Sequence, residues 1–303
     1  MKKIRVGSRD SKLAIIQTNM VIAAINKYDP SKEIELITMK TTGDKILDKS
    51  LDKIGGKGLF VKELDEALYS GGVDITVHSY KDMPMEGNPQ LPVIALSKRE
   101  DARDVLILPK THQTKAFQDI METDIKTLPI GSSSLRRKLQ LKELYPNFET
   151  APIRGNVQTR LNKLEKGEFS AIVLAAAGIK RLGLEEYITR YFTIDEIIPA
   201  AGQGIIAVQG RAGEKFEYLK YFDNEDSHFI SLAERSFVKA LNGGCSSPIG
   251  AYAELDRDEI ILKGLFYDEA ADEIIKESIR GSKQNAIELG MELARKIGVK
   301  RNE

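Results

Sequence analysis

Ile130-Gly131-Ser132-Ser133-Ser134-Leu135-Arg136-Arg137 leaves an apolar pair, crosses a small-residue turn and enters a helical pattern that runs to Leu144. The same grammar recurs at Val6-Gly7-Ser8-Arg9-Asp10-Ser11 and at Ile153-Arg154-Gly155-Asn156. In each, a strand meets a small or glycine-bearing turn, an arginine sits at the turn, and Ser or Asn stands where a helix would be capped. In an open parallel sheet this is the carboxyl edge of the strands, where ligands bind. A helix start exposes unpaired N–H groups and about half a positive charge, so Arg136 and Arg137 in a first turn oppose the dipole by about 0.3–1 kcal/mol. The same N–H groups and guanidinium forks suit carboxylate or phosphate. Pairing with surface acids would account for any one of these arginines. Three such turns in one chain point instead to an anionic ligand with several acidic groups.

Outward from these turns, short apolar runs at 4–6, 34–39, 73–77, 93–96, 105–108, 148–153, 171–174 and 205–208 alternate with helical patterns. The clearest helices are 11–26, 59–69, 133–144, 156–166 and 227–241. That alternation predicts an α/β class with mainly parallel sheets covered by helices. After about residue 243 the stretches 251–255, 260–266 and 273–279 alternate in polarity and a helix closes the chain at about 286–297, predicting a small antiparallel α+β unit. Crossings at 97–101 and 193–201 bracket an inserted segment. The expected domains are therefore 1–98 with 194–218, 99–193, and 219–303. The polar, glycine-bearing stretch 41–58 is long for a loop in a compact domain and reads as mobile and functional.

The 303 residues suffice for two or three domains with proper cores. Forty-five Lys and Arg cancel forty-five Asp and Glu, so no global field of one sign draws in nucleic acid or an anionic membrane. Any anion affinity must be local. The single cysteine, Cys245, permits no intrachain disulfide, and with the scattered His78, His112 and His228 it does not assemble a zinc cage. The start has the charge of a secretion signal without the apolar stretch that must follow. The longest apolar run, 171–179 with Gly178 included, falls short of the about 20 residues a spanning helix needs. A cytoplasmic protein is expected.

Gly55-Gly56-Lys57-Gly58 lacks the spacing and the Ser or Thr of a phosphate loop, although Lys53 and Lys57 beside those glycines could bring mobile charge over an anion. His78-Ser79-Tyr80-Lys81-Asp82-Met83-Pro84 leaves a strand with a cation and a carboxylate side by side. Asp82 there is either a turn-forming residue or one that does acid/base work and stabilises a developing cation. His78 reads as a satisfied strand residue. Cys245, in Asn242-Gly243-Gly244-Cys245-Ser246-Ser247-Pro248, is either a small buried hydrophobe or an exposed nucleophile or attachment point.

Taken in order, these motifs resemble the porphobilinogen deaminase family. The match runs from Gly7-Ser8-Arg9-Asp10-Ser11-Lys12-Leu13-Ala14 through 55–63, His78-Ser79-Tyr80-Lys81-Asp82, Arg99-Glu100-Asp101-Ala102-Arg103-Asp104 and Ser133-Ser134-Leu135-Arg136-Arg137. It continues through 154–161, Pro199-Ala200-Ala201-Gly202-Gln203-Gly204 and Gly243-Gly244-Cys245. The resemblance implies two lobes like those of periplasmic binding proteins and a third domain carrying the cysteine. It implies a dipyrromethane cofactor joined to Cys245 by a thioether, and a transferase that adds four porphobilinogen units head to tail and releases hydroxymethylbilane and ammonia. It makes Asp82 and Lys81 catalytic. The cofactor would be held by Ser132, Ser134, Arg136, Arg137, Arg160 and Gln203 with those two. Arg9, Ser11, Lys53, Lys57, Arg154 and Arg181 would hold substrate. Six pyrroles would bring about a dozen carboxylates, which explains arginines at helix starts in a neutral chain. Departures are Ser132 where Thr is commoner, Tyr80 where Met is frequent, and Ser246-Ser247 after the cysteine.

The partner implied is a small molecule, with no nucleic acid, membrane or metal, and a monomer is expected. The rival from another class is a non-catalytic receptor, since paired α/β lobes also serve small-molecule binding. A cysteine hydrolase using Cys245 and His228 is the third reading.

Overall fold

The computed structural model describes residues 3–45, 61–112, 128–243 and 248–300. In chain order the elements are β1 (Ile4–Arg9), α1 (Lys12–Tyr28), β2 (Ile34–Met39), α2 (Thr42–Lys45), α3 (Lys62–Tyr69), β3 (Ile75–Ser79), a 3-10 turn (Tyr80–Asp82), β4 (Val93–Leu96) and β5 (Asp104–Ile107). There follow β6 (Ile130–Gly131), α4 (Leu135–Leu144), β7 (Thr150–Ala151), α5 (Val157–Glu165), β8 (Ala171–Ala175), α6 (Ala176–Arg181), β9 (Arg190–Tyr191) and β10 (Ile206–Gly210). The chain ends with α7 (Glu225–Ala240), β11 (Ile249–Asp256), β12 (Glu259–Asp268), β13 (Glu273–Ser282) and α8 (Ala286–Lys300).

Two five-stranded sheets share one plan, ordered β2-β1-β3-β10-β4 and β7-β6-β8-β5-β9. In the first, β10 runs antiparallel to both β3 and β4; in the second, β5 runs antiparallel to β8 and β9. The reversed strand in each is the one adjoining a crossing between the lobes: β5 follows the first crossing and β10 follows the second. A strand that enters from the neighbouring lobe arrives at the ligand-facing edge and must run away from it. The expectation of mainly parallel sheets therefore holds with one reversed member per sheet.

Local chemistry explains most boundaries. Ser11 caps α1 by accepting from Ala14 N at 3.3 Å, and Asn156 caps α5 by accepting from Thr159 N at 3.0 Å. The apolar run 171–179 is not one strand: β8 gives way to α6 at Ala176, where alanines favour helix. The expected strand at 148–153 shrinks to β7, and β6 and β9 are two residues each, too short to leave a period in the sequence.

The third sheet, β11-β12-β13, is antiparallel throughout. Helices α7 and α8 pack on it, closely enough that a Cβ on Gly290 would lie 1.9 Å from Ser236 Oγ. Its core, built on Phe237, Leu262 and Leu293, continues into the first lobe through Met83, Leu96 and Ile205. Glu234 of α7 reinforces that junction. Its fully buried carboxylate accepts from Arg99 Nη1 and Ala253 N through Oε1, both at 2.7 Å, and from Gly202 N through Oε2 at 2.7 Å. Arg99 lies in the first crossing and Gly202 in the second, so one carboxylate ties both crossings to β11.

Replacing one partner of a buried ion pair strands the other, at about 3–5 kcal/mol. Glu234→Ala is therefore expected to lower unfolding free energy by about that amount in urea titration. A loss under about 1 kcal/mol, the range of exposed pairs, would show that the contact is solvated.

Candidate active site

The carboxyl ends of β1, β3, β6, β7 and β8 open on one cavity of about 730 Å³ between the two lobes. Its lining carries nine Lys and Arg side chains against two carboxylates, Asp10 and Asp82. The starts of α1, α4 and α5 also face it through Ser11, Ser134 and Asn156, with side-chain caps on α1 and α5 and none on α4. Unpaired N–H groups and guanidinium charge thus converge on one volume.

Beneath the cavity lies Asp104, fully buried at the head of β5. Its Oδ2 accepts from Arg136 Nη2 at 2.9 Å and its Oδ1 from Arg137 Nη2 at 2.7 Å. The remaining ends are held by carbonyls, Arg136 Nη1 by Ile198 O at 2.6 Å and Arg137 Nη1 by Val173 O at 3.1 Å. Arg137 Nε is buried without a partner. Gln203 Nε2 donates to Asp104 Oδ1 at 2.8 Å and to Ala102 O at 2.6 Å, which leaves Oε1 to accept from Lys81 Nζ at 3.2 Å. Burial alone would raise the Asp104 carboxyl, but Arg136 and Arg137 hold it well below the usual carboxylate range.

The cations crowd one another. Burial and the neighbouring Arg137 push the Lys81 ammonium down to about 8, against the opposing pull of Asp82 and Asp104. Burial, Arg137 and Arg154 push Arg160 down to about 10, with Asp82 again opposing. Arg181 falls to about 10 through burial; its Nη2 donates to Gly204 O at 2.6 Å while its Nε is buried without a partner. Asp82, at the end of the 3-10 turn after β3, stands among these groups.

Of the residues singled out from sequence, Arg9, Ser11, Lys81, Asp82, Ser134, Arg136, Arg137, Arg154, Arg160, Arg181 and Gln203 line this one cavity. Ser132 does not. It is buried behind the turn, its Oγ accepting from Ser134 N at 3.3 Å. Arg136 and Arg137 do occupy the first turn of α4, but their acid is the buried Asp104 rather than a surface group. His78 is a strand residue, as expected, with Nε2 at 3.0 Å from Thr76 Oγ1 and its pKa pressed down to about 3 by burial and Arg9. His228 pairs with Asp223 at 2.7 Å. Cys245, Lys53, Lys57 and most of the expected loop 41–58 lie outside the described residues.

Sequence reasoning missed Asp104, Gln17 and Lys40. Asp104 had a signal, since an acid heading the buried strand Val105-Leu106-Ile107 demands a partner. Gln17 had one too, an amide on the buried stripe of α1, where it exchanges hydrogen bonds with Ser79 Oγ at 3.0 and 3.2 Å. Lys40 had none.

Comparison with known proteins matches two stretches of the chain to one family. Residues 4–217 match the family description "Porphobilinogen deaminase, dipyromethane cofactor binding domain" and 229–298 match "Porphobilinogen deaminase, C-terminal domain". The chain is 68% identical over 297 residues to a porphobilinogen deaminase of Ruminiclostridium cellulolyticum, covering 98% of each. It is 58% identical to that of Acetivibrio thermocellus, covering 96% of this chain and 97% of the relative. Among solved structures, the second substrate-binding domain of a putative amino acid ABC transporter from Streptococcus pneumoniae aligns with a TM-score of 0.44 at 13% identity, over 80% of this chain and 95% of that one.

Lys81 offers a direct test. Its Nζ, followed by NMR, should titrate near 8 rather than at the ordinary lysine value of 10.5. Its folded pKa lies below its unfolded one, so the unfolded chain holds more protons between those values and stability should rise with pH across that window. Lys81→Met should remove that rise. A midpoint above about 10, the range of a solvated lysine, would show that the ammonium is hydrated.

Proposed function

The chain belongs to the porphobilinogen deaminase family, and from that premise we propose that the interlobe cavity is the site of its chemistry, with Asp82 beside the reacting pyrroles. The activity is that of a hydroxymethylbilane synthase: four porphobilinogen molecules are deaminated and joined head to tail on a dipyrromethane primer, a transferase reaction of tetrapyrrole biosynthesis. The observation that carries the assignment of the site is the Asp82 carboxylate, one of two among nine cationic side chains in one cavity, on a turn directly after Lys81.

The residues fit a dipyrromethane on physical grounds. Its carboxylates call for several donors, and the cavity supplies guanidiniums and helix starts. Ser134, Arg136, Arg137, Arg160, Gln203, Lys81 and Asp82 would hold it, with Ser132 supporting from behind and Cys245 as the thioether anchor. Bound there, it supplies the pyrrole carbon to which the next ring is joined.

The protein's own groups divide the remaining work. Arg9, Arg154 and Arg181, with Ser11, Lys53 and Lys57, bind substrate carboxylates and orient the incoming pyrrole. Loss of ammonia leaves positive charge on the substrate ring. The Asp82 carboxylate, fixed before the reaction, stabilises that charge and accepts a hydrogen bond or a proton from ring nitrogen. Lys81, adjacent and easily deprotonated for a lysine, can give or take a proton during ammonia loss. The proposal also treats 1–98 with 194–218, 99–193 and 219–303 as three domains of a monomer working in the cytoplasm. No helix among the described residues is long and apolar enough to cross a membrane.

Three measurements test this reading. Intact mass of the purified chain should show an adduct equal to two deaminated porphobilinogens, absent in Cys245→Ser; a full adduct in that variant would move the anchor elsewhere. Asp82→Ala should lose about 10²–10⁴-fold in kcat, the range for a positioned acid/base group. Near-normal porphobilinogen consumption by that variant refutes the assignment. Arg160→Met should raise KM for porphobilinogen or lower adduct occupancy, since it removes a charge-assisted contact of about 1.5–3 kcal/mol.

A further inference from the structure

We propose that Arg235, on α7 of the C-terminal region, is a positioning residue that grips both sides of the Asp82 turn and sets the direction of that carboxylate. The inference rests on the reading of Asp82 given above.

The turn is short and has two faces. With three residues per turn, Tyr80 and Met83 fall on one side and Lys81 and Asp82 on another. Tyr80 and Met83 pack into the core shared with α7, α8 and β11–β13, while Lys81 and Asp82 line the cavity. Local backbone support is thin. Tyr80 N donates to Ile205 O at 3.0 Å and Met83 N to Tyr80 O at 3.2 Å.

Arg235 supplies what the backbone lacks. Its guanidinium lies over the Tyr80 ring, 4.5 Å from the centroid, and its Nη2 donates to Pro84 O. Those are the residues two before and two after Asp82. Among the described residues no carboxylate forms an ion pair with Arg235, and its Nη1 is buried without a partner. A cation so placed is poorly spent on stability, because its desolvation is offset only by a ring face and one carbonyl. A planar fork that touches two points at once is well suited to fixing geometry. The same helix ends at Ala240, five residues before Cys245 in the sequence.

The experiment uses the full chain carrying its adduct, with loading checked by intact mass, and compares Arg235→Met, Arg235→Lys, Tyr80→Leu and the Arg235→Met/Tyr80→Leu pair. Arg235→Met should lower kcat about ten-fold or more with KM for porphobilinogen changed less than about two-fold, as expected when a group is misplaced rather than a ligand lost. Amide exchange over residues 78–85 should quicken about ten-fold while β11–β13 peptides stay at the wild-type rate. Arg235→Lys should recover part of kcat by keeping a cation over the ring. The double variant should be no more than about two-fold worse than the poorer single one, because both remove one grip.

Wild-type kcat in loaded Arg235→Met, additive losses, or faster exchange throughout the third sheet would overturn the proposal. If Arg235→Met does not accumulate as folded protein, Tyr80→Leu decides alone, and wild-type kcat there overturns it. Asp82→Ala run in parallel separates the two readings. An inactive Asp82→Ala beside a normal Arg235→Met condemns only the role of Arg235, whereas an active Asp82→Ala condemns the site itself.

Discussion

One fully buried carboxylate, Asp104, makes the cavity possible. Two guanidiniums and an ammonium gathered beneath a cavity would repel one another and resist desolvation, and an uncompensated buried charge costs several kcal/mol. Asp104 meets both problems by accepting from Arg136, Arg137 and Gln203 together. It also fixes orientation. Because Gln203 must present its amide N–H groups to Asp104 and Ala102 O, its carbonyl oxygen is the end that faces Lys81. Each guanidinium is held at its two terminal nitrogens, so Arg137 keeps an unused Nε. A buried charge thus sets the orientation of the polar groups around it.

Much of this was legible in the sequence, and the limit has a physical cause. The three strand-turn-helix units announced themselves because a capping residue and an arginine at a helix start are local signals, and all three units do open on the same cavity. Asp82 and Lys81 stood out only as adjacent opposite charges at a strand end. Spacing could not separate a turn-former from a catalytic acid, and the catalytic reading of Asp82 comes from the family resemblance. Asp104, Gln17 and Glu234 went unassigned because their partners are remote in sequence, at 32, 33 and 99 residues for Asp104, 62 for Gln17, and 19, 32 and 135 for Glu234. The reversed β5 and β10 were hidden for a similar reason: a four- or five-residue apolar strand reads alike in either direction.

Glu234 and Arg235, neighbours on α7, show how the C-terminal sheet bears on a cavity it does not line. Glu234 fastens both crossings between the lobes, and Arg235 touches the turn that carries Asp82. With Tyr80, Met83 and Ile205 packed into the same apolar core, the third sheet is a rigid backing for the hinge region.

Binding and chemistry are distributed unequally across this frame. Positive charge in the lining comes from both lobes and is shared among nine side chains, so loss of any one leaves most of the field intact. Negative charge is scarce, and Asp82 is the lining carboxylate set beside Lys81 and Arg160. A polycarboxylate can shift along such a surface as it grows, exchanging one guanidinium for another, without losing much affinity at any step. In the proposed reaction a developing cation has far fewer choices, because the lining sets only two carboxylates, Asp10 and Asp82, among nine positive side chains. The field that would retain an acidic chain would thereby restrict where a reacting ring is stabilised.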